Sequence, residues 1–234
     1  ETAYRALQKR GDYPKDKKVH FIAFGGDGGT YDIGLQALSG AMERGHNMVY
    51  VCYDNEAYMN TGIQRSGATP FAAQTSTTPV GTVKKGKEQN RKDLTSIMVA
   101  HNIPYVAQAT PYHWRDLANK VRKALAVDGP AFLNILMPCP VGWHFDTELG
   151  MELARIAVEC KFWALYEVEN GQYKLNYEPK KPVPLTDWLK PQGRYKHLFK
   201  EENKELLEKL QAWVDQEWVK LRRRCGLEPT EVAK

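Results

Sequence analysis

The stretch Val19-His-Phe-Ile-Ala-Phe-Gly-Gly-Asp-Gly-Gly29 gives the clearest indication of the fold. Its first six residues form a short apolar run, which ends directly at four glycines that surround one carboxylate, Asp27. A buried strand that leads into a glycine-rich loop has this pattern. Helical spacing of apolar residues then continues to Gly45, and a second apolar run occupies residues 48–53. The sequence therefore predicts a strand–helix–strand unit.

Helix and strand patterns keep alternating after this unit. The next predicted helices and strands cover residues 93–101, 105–109, 114–126 and 131–137. Such alternation indicates an α/β fold with a parallel sheet flanked by helices, whose ligand sites gather beyond the carboxyl ends of the strands. The Asp27 loop and the Pro138-Cys139-Pro140 segment each follow a strand, so both are expected at that edge.

The remaining sequence predicts a hairpin and a long helix. The hairpin surrounds Asn170-Gly171, a strong turn signal, within residues 162–177. A proline-rich connector over residues 179–191 then leads to a closing helix over residues 202–224.

This pattern suggests two units. We expect an α/β domain at residues 1–160, followed by a unit at residues 161–234 whose hairpin, connector and helix pack on that domain or on a partner subunit. The first residues follow a helical pattern without an N-cap, so we expect the domain to begin before Glu1.

Composition excludes several functional classes. The 234 residues are 42% hydrophobic and 26% charged, as in ordinary globular proteins. The net charge of +5 is spread along the chain, so nucleic acid is not an expected partner. No apolar stretch reaches the roughly 18 residues of a membrane span, and residues 1–10 lack the basic-then-apolar order of a signal peptide, so we expect a cytoplasmic location. The four cysteines include no CxxC pair, so a self-contained zinc or disulfide framework is not expected.

A carboxylate inside a glycine turn needs a positive partner if the turn is to bind phosphate. The lysine of a Walker loop is absent, and the glycine spacing does not fit a dinucleotide fingerprint. Mg²⁺ on Asp27 would resolve the conflict, because it can bridge to a diphosphate that faces the backbone N–H groups of the turn. The second strand ends at Asp54-Asn55-Glu56-Ala57, which offers oxygen ligands beside the first loop. A plain tight turn is the alternative.

At these residues the sequence resembles a known family. Gly26-Asp27-Gly28, followed after twenty-five residues by Asp54-Asn55, looks like the thiamine diphosphate motif, although the first asparagine of that motif is Asp here. A longer resemblance is to the β subunits of 2-oxoacid:ferredoxin oxidoreductases, the pyruvate synthase type in particular. It is carried by residues 25–34, by Asp54-Asn-Glu-Ala-Tyr-Met-Asn-Thr-Gly62 and by residues 68–70, 138–140 and 193–197.

The resemblance implies roles for individual residues. Mg²⁺ would be held by the side chains of Asp27 and Asn55 and by the carbonyl of Ala57, while Asn60 would face the reacting carbon. The diphosphate would lie against the glycine turn, which contains Gly26, Gly28 and Gly29. In the long loop that follows the second strand, from Asp54 to about Lys87, Gln64, Arg65 and Ser66 could contact substrate or coenzyme A, although a solvated loop face is an equal alternative.

Cys139 gains a role from the same resemblance. In the family, one cysteine after the thiamine diphosphate loops joins three from an N-terminal segment to bind a [4Fe-4S] cluster, and Cys139 occupies the matching position. The other three are absent from these 234 residues, so such a cluster would be shared with ligands outside them.

The resemblance also implies an activity. The chain would bind Mg²⁺ and thiamine diphosphate within a hetero-oligomer that decarboxylates a 2-oxoacid, pyruvate in particular, passes electrons through iron–sulfur clusters to ferredoxin and transfers the acyl group to coenzyme A. Three alternatives stay open: another 2-oxoacid or oxalate as substrate, a non-oxidative thiamine diphosphate enzyme, or a noncatalytic interaction module.

Overall fold

A computed structural model describes residues 1–228. Its centre is a six-stranded sheet with the order β1-β2-β4-β3-β5-β6. The strands are β1 (Ile22–Gly26), β2 (Val49–Asp54), β3 (Tyr105–Ala109), β4 (Ala131–Leu136), β5 (Tyr166–Glu169) and β6 (Gln172–Leu175). The helices are α1 (Thr2–Arg10), α2 (Leu35–Glu43), α3 (Leu94–Val99), α4 (Trp114–Ala126), α5 (Pro140–Trp143), α6 (Gly150–Glu159), α7 (Leu185–Leu189) and α8 (Lys204–Arg224).

The first four strands run parallel, and the hairpin extends the same sheet. Strand β5 pairs antiparallel with β3, and β6 pairs antiparallel with β5. The turn between them is Asn170-Gly171, whose φ angles of +49° and +79° are those of a tight hairpin turn. The prediction of an α/β fold with a flanked parallel sheet, a hairpin and a long closing helix is therefore confirmed.

Apolar residues alternate between the two faces of the sheet. Val51 and Leu133 point to the face that α4 covers through Ala124. Cys52 and Phe132 belong to the opposite core, which helices α2, α3 and α8 cover. Both faces of the central strands are buried, which explains why their sequences read as continuous apolar runs.

The C-terminal segments enclose a third, aromatic core. Trp188 stacks on Phe162 with ring centroids 4.0 Å apart, and both pack near Trp143. Helix α8 buries Val214 and Trp218 against the rest of the chain. This core lies beside the segment that follows β4, so it supports one side of the candidate site.

Within residues 1–228, none of the helices combines the length and the apolar character needed to cross a membrane.

Candidate active site

The candidate site lies at the carboxyl edge of the parallel strands. Asp27 follows β1, Asn55 follows β2, and Cys139 comes shortly after β4. These three strands are neighbours in the sheet, in the order β1-β2-β4. Ligand sites of open α/β sheets lie at this edge. The topology therefore brings three segments that the sequence singled out to one place.

The glycine turn is compact on one side and open on the other. After Asp27 the chain enters a π-helical turn over Gly28–Ile33, and the Tyr58 hydroxyl donates to the Gly28 carbonyl at 2.9 Å. A Cβ added at Gly28 would lie 2.3 Å from the Tyr58 ring, so this position requires glycine. A Cβ added at Gly26 or Gly29 would meet no atom within 4 Å. The turn thus has free space beside two of its glycines, as a diphosphate cradle needs.

Polar groups from the two loops converge. One terminal atom of the Asn55 side-chain amide lies 2.8 Å from Asp27 Oδ1 and 3.0 Å from the carbonyl oxygen of Ala57. Neighbouring ligands of an octahedral Mg²⁺ ion are about 2.9 Å apart, given Mg–O distances of 2.0–2.1 Å. With its nitrogen at that position, the amide donates hydrogen bonds to both oxygens. A half-turn of the amide would present its oxygen instead, so the residues present fit Mg²⁺ once the Asn55 oxygen faces the other two.

Asp27 is held in a setting that favours exchange of a proton for a cation. Its other oxygen, Oδ2, accepts a hydrogen bond from the Ser66 hydroxyl, and the side chain is almost fully buried. Burial, and then the nearby Asp54 carboxylate, raise the pKa of Asp27 to about 8. A divalent cation would offset both effects, because it supplies the positive charge that the site lacks.

Behind the oxygen set lies a buried network of two acids and two arginines. Arg91 donates to Asp54 Oδ2 at 2.5 Å and to Glu56 Oε1 at 2.7 Å. Arg194 reaches the second oxygen of Glu56, with Nη2 2.6 Å from Oε2. The charges of these four side chains cancel, which allows both carboxylates to be fully buried.

Further hydrogen bonds connect this region to the sheet and to residues 55–57, which we call the metal loop because they contain two of the candidate Mg²⁺ ligands. The Trp143 indole N–H donates to the Asn55 carbonyl at 2.8 Å. On the opposite side, the Tyr31 hydroxyl donates to Asp54 Oδ2 at 2.7 Å and accepts from Asn134 Nδ2 at 2.8 Å. The loop that contains Asn55 is thus fixed from strand β4 and from the segment after it.

The remaining loop residues occupy different environments. Asn60 is exposed, three positions beyond Ala57. Arg65 is exposed as well and Gln64 is half-buried, whereas Ser66 is buried against Asp27. The solvated-face alternative is therefore wrong for Ser66, whose hydroxyl bonds to the candidate metal ligand, whereas Gln64 and Arg65 stay accessible.

Cys139 lies at the N-terminus of α5 in a partly exposed position. Its Sγ accepts a backbone hydrogen bond from Gly142 at 3.5 Å, a contact suited to a metal-bound thiolate. Throughout residues 1–228, no three His, Cys, Asp or Glu side chains are grouped to hold a metal ion. These residues alone do not fit an iron–sulfur cluster, so further ligands would have to come from elsewhere.

Comparison with known proteins assigns this site to a family. Residues 7–135 match the family described as thiamine pyrophosphate enzyme, C-terminal TPP binding domain, where thiamine pyrophosphate is another name for thiamine diphosphate. The chain is 50% identical to pyruvate synthase subunit PorB of Methanocaldococcus jannaschii, over 92% of this chain and 71% of that protein. It belongs to the β-subunit family of 2-oxoacid:ferredoxin oxidoreductases. The family carries thiamine diphosphate, as the residues had suggested.

Other relatives place limits on the assignment within this oxidoreductase family. Pyruvate synthase subunit PorB of Thermotoga maritima is 49% identical, over 94% of this chain and 68% of that protein. Ketoisovalerate oxidoreductase subunit VorB of Pyrococcus furiosus is 48% identical, over 88% of this chain and 65% of that protein. The chain thus spans about two thirds to seven tenths of these relatives, and overall identity barely separates the two substrate classes.

A solved structure supports the fold of this oxidoreductase subunit. The 2-oxoglutarate:ferredoxin oxidoreductase from Magnetococcus marinus, solved with 2-oxoglutarate, coenzyme A and succinyl-CoA bound, is similar with a TM-score of 0.50 and 25% identity. The similarity covers 66% of this chain and 56% of that one. This chain therefore spans just over half the length of its structural neighbour.

Sequence reasoning missed the side chains that support the loops. Asp54 and Glu56, at the end of an apolar strand, signal a need for buried cations. The sequence does not indicate that Arg91 and Arg194 meet this need, since neither lies near the motif in the chain. Trp143 was also missed, because a tryptophan four residues after a cysteine reads as ordinary core.

Proposed function

We propose that this chain is the thiamine diphosphate-binding subunit of an oxidoreductase that decarboxylates pyruvate oxidatively and passes the electrons to ferredoxin. The observation that carries the proposal is the convergence of Asp27 Oδ1, the Asn55 side-chain amide and the Ala57 carbonyl, with distances from the amide of 2.8 and 3.0 Å. Two neutral oxygens and one carboxylate, beside a turn with free space, form a donor set suited to Mg²⁺ on a diphosphate.

Each group in this chain has a defined task in the proposal. Asp27, Asn55 and Ala57 hold Mg²⁺, and the turn that contains Gly26, Gly28 and Gly29 receives the diphosphate. Asn60, which is exposed, would face the reacting carbon of the substrate. Thiamine diphosphate, when bound, supplies the nucleophilic carbon and the electron sink for loss of CO₂ from a 2-oxoacid. The protein contributes binding, orientation and electrostatic stabilisation.

The choice of substrate rests on the relatives. The pyruvate synthase subunits are 48–50% identical to this chain, and the ketoisovalerate oxidoreductase subunits 47–48%. Pyruvate is therefore the proposed substrate, and ketoisovalerate is the second candidate. Coenzyme A is the proposed acyl acceptor, by analogy with the structural neighbour that binds it.

The proposed electron path depends mostly on groups outside the described residues. Cys139 would supply one thiolate to a [4Fe-4S] cluster whose other ligands lie outside the described residues, and its Gly142 N–H contact would tune that thiolate. Partner subunits would complete the active site, and ferredoxin would receive the electrons. We place this assembly in the cytoplasm.

The proposal can be tested on the purified complex that contains this subunit. Binding of thiamine diphosphate is measured by calorimetry with and without Mg²⁺, for the wild type, Asp27→Asn and Glu167→Gln. Glu167 is a buried acid of β5 and serves as the matched control. We expect the Asp27→Asn variant to lose Mg²⁺-dependent binding and the control to keep it. Equal binding by all three proteins would contradict the proposed metal site.

The substrate is tested with the same complex. Reduction of a low-potential acceptor is measured with pyruvate, ketoisovalerate, 2-oxoglutarate and oxalate in turn, each with and without coenzyme A. We expect the highest kcat/KM with pyruvate and dependence on coenzyme A. Preference for ketoisovalerate or oxalate would contradict the proposed substrate and assign the complex to another substrate class of the family. Decarboxylation of pyruvate without acceptor reduction would favour a non-oxidative enzyme.

A further inference from the structure

Glu56 occupies an unusual position between two of the candidate metal ligands. Asn55 precedes it and Ala57 follows it, and its backbone adopts a left-handed conformation with φ of +69°. A non-glycine residue in this region is strained and persists only where its surroundings hold it in place. The Glu56 side chain is fully buried, so the groups that bind its carboxylate also fix the backbone of the metal loop.

The two oxygens of Glu56 are held by arginines with different surroundings. Arg91 binds Oε1 and also pairs with Asp54, so it serves the end of strand β2 as well as the loop. Arg194 binds Oε2 at 2.6 Å. Among the described residues, Glu56 is its single salt-bridge partner. The ion pair of Arg194 is therefore confined to the metal loop, whereas the ion pairs of Arg91 also involve the end of strand β2.

Arg194 is itself rigidly placed. Its Nε donates to Gln192 Oε1 at 2.9 Å, and its guanidinium lies 4.0 Å from the centre of the Trp143 ring. The Trp143 indole N–H in turn donates to the Asn55 carbonyl at 2.8 Å. These contacts close a ring that starts and ends in the metal loop: Asn55, Glu56, Arg194 and Trp143.

We propose that Arg194 is a positioning residue for the metal loop: through Glu56 and Trp143 it holds the Asn55 side chain and the Ala57 carbonyl at the spacing that a divalent cation requires. The inference rests on the proposed function, because it concerns the same Mg²⁺ site. Arg194 lies 138 residues from Glu56 in the chain, so the C-terminal segment becomes part of cofactor binding.

The expected consequence is a change in the dependence on Mg²⁺. Without Arg194 the strained Glu56 keeps one of its two cation partners, and the two ligands on either side lose their fixed spacing. Groups that orient metal ligands typically contribute 10–100-fold to metal affinity. We therefore expect Arg194→Gln to raise the Mg²⁺ concentration needed for half-maximal thiamine diphosphate binding by about tenfold, with binding recovered at high Mg²⁺.

The experiment uses the assembled complex, with calorimetric titration of thiamine diphosphate at a series of Mg²⁺ concentrations. The matched control is Arg222→Gln, since Arg222 is a mostly buried arginine of α8 that pairs with Glu178. We expect the two variants to lower the melting temperature of the cofactor-free complex similarly, but only Arg194→Gln to shift the Mg²⁺ dependence. Arg194→Lys keeps the charge without the planar fork and should recover part of the affinity.

Two further results complete the test. If Arg194→Gln fails to assemble, Trp143→Phe keeps a ring beneath Arg194 but removes the N–H donor to Asn55, and we expect a rise of about fivefold in the same Mg²⁺ concentration. An unchanged Mg²⁺ dependence in an assembled variant, beside a wild type that binds, overturns this inference alone. A wild-type complex without Mg²⁺-dependent binding overturns the proposed function together with it.

Discussion

Ser66 Oγ lies 2.5 Å from Asp27 Oδ2, although 39 positions separate the two residues in the chain. The same hydroxyl accepts a hydrogen bond from the backbone N–H of Ala68 at 3.1 Å, so its orientation is fixed by the loop. This arrangement leaves Asp27 Oδ1 for the side that faces Asn55 and Ala57. Ser66 therefore selects the rotamer of the carboxylate that would bind the metal.

Replacement of Ser66 by alanine should weaken Mg²⁺ binding without removing a ligand. The buried Oδ2 would lose its hydrogen bond, and the carboxylate would be free to rotate away from the oxygen set. Loss of such a supporting contact is expected to lower metal affinity by about tenfold. The measurement is the Mg²⁺ dependence of thiamine diphosphate binding. Ser76→Ala, an exposed serine of the same long loop, is the control and should bind as the wild type does.

Gly29 and Gly28 should respond differently to alanine. A Cβ at Gly29 meets no atom within 4 Å, so Gly29→Ala should leave the melting temperature of the subunit unchanged or slightly higher. If the diphosphate occupies that space, thiamine diphosphate affinity should fall by about tenfold. Gly28→Ala should destabilise the fold, because its Cβ would lie 2.3 Å from the Tyr58 ring.

The contrast between the glycines is measured by thermal unfolding and by calorimetry of cofactor binding. Gly81→Ala provides the control, since Gly81 also has open space around it but belongs to another part of the chain. Should Gly29→Ala bind the cofactor like the control, the diphosphate must lie elsewhere.

Most of the fold follows from local patterns in the sequence. The apolar run at β2 is mostly buried, and Asn170-Gly171 forms the predicted turn with both φ angles positive. The prediction of a buried strand is wrong for β1, because β1 lies at the edge of the sheet, where Phe24 is 75% exposed and Ile22 48% exposed. The proximity of Asp27 and Asn55 could also be predicted, because consecutive parallel strands end at the same edge. Local periodicity and one topological rule are sufficient for these features.

The supporting residues could not be predicted in the same way. Ser66 and Arg194 reach the site from a loop and from a segment near the C-terminus, and neither segment has a hydrophobic period that fixes its path. Their positions depend on which side chains fill the space behind Asp54 and Glu56 once the sheet has formed. Sequence patterns indicate that buried acids need partners, whereas only the tertiary structure identifies them.

Replacement of Cys139 by serine should separate electron transfer from cofactor binding. The thiolate lies outside the oxygen set, so thiamine diphosphate should still bind with Mg²⁺ dependence like that of the wild type. If Cys139 is a cluster ligand, the complex should lose iron and its visible absorbance, on the order of one cluster per subunit. Acceptor reduction should fall accordingly.

Cys225 provides the comparison for this variant. It is a partly buried cysteine at the end of α8, remote from the carboxyl edge in the chain. Cys225→Ser should retain the iron content and acceptor reduction of the wild type. An unchanged iron content in Cys139→Ser would show that the cluster does not depend on this thiolate.

Glu167 should make the stability of the subunit depend on pH in the acid range. Burial favours the neutral carboxyl, but hydrogen bonds from Lys123 at 2.9 Å, Tyr105 at 2.7 Å and Asn176 at 3.0 Å outweigh it and lower the pKa of Glu167 to about 2. The ordinary value is 4.5. Between these two values the unfolded chain binds more protons than the folded chain does, so the free energy of unfolding falls as pH falls through this window.

Glu167→Gln should remove this contribution. At pH 7 the variant is expected to be less stable by up to about 3 kcal/mol, since each unit of pKa difference corresponds to about 1.4 kcal/mol. The difference from the wild type should shrink steadily between pH 5 and pH 2, and it should be constant above pH 5. Urea unfolding of the full-length subunit, followed by circular dichroism at several pH values, measures this difference. Glu169→Gln, an exposed neighbour on β5, should follow the wild-type profile, and a difference for Glu167→Gln that is the same at pH 5 and pH 2.5 would contradict the assigned shift.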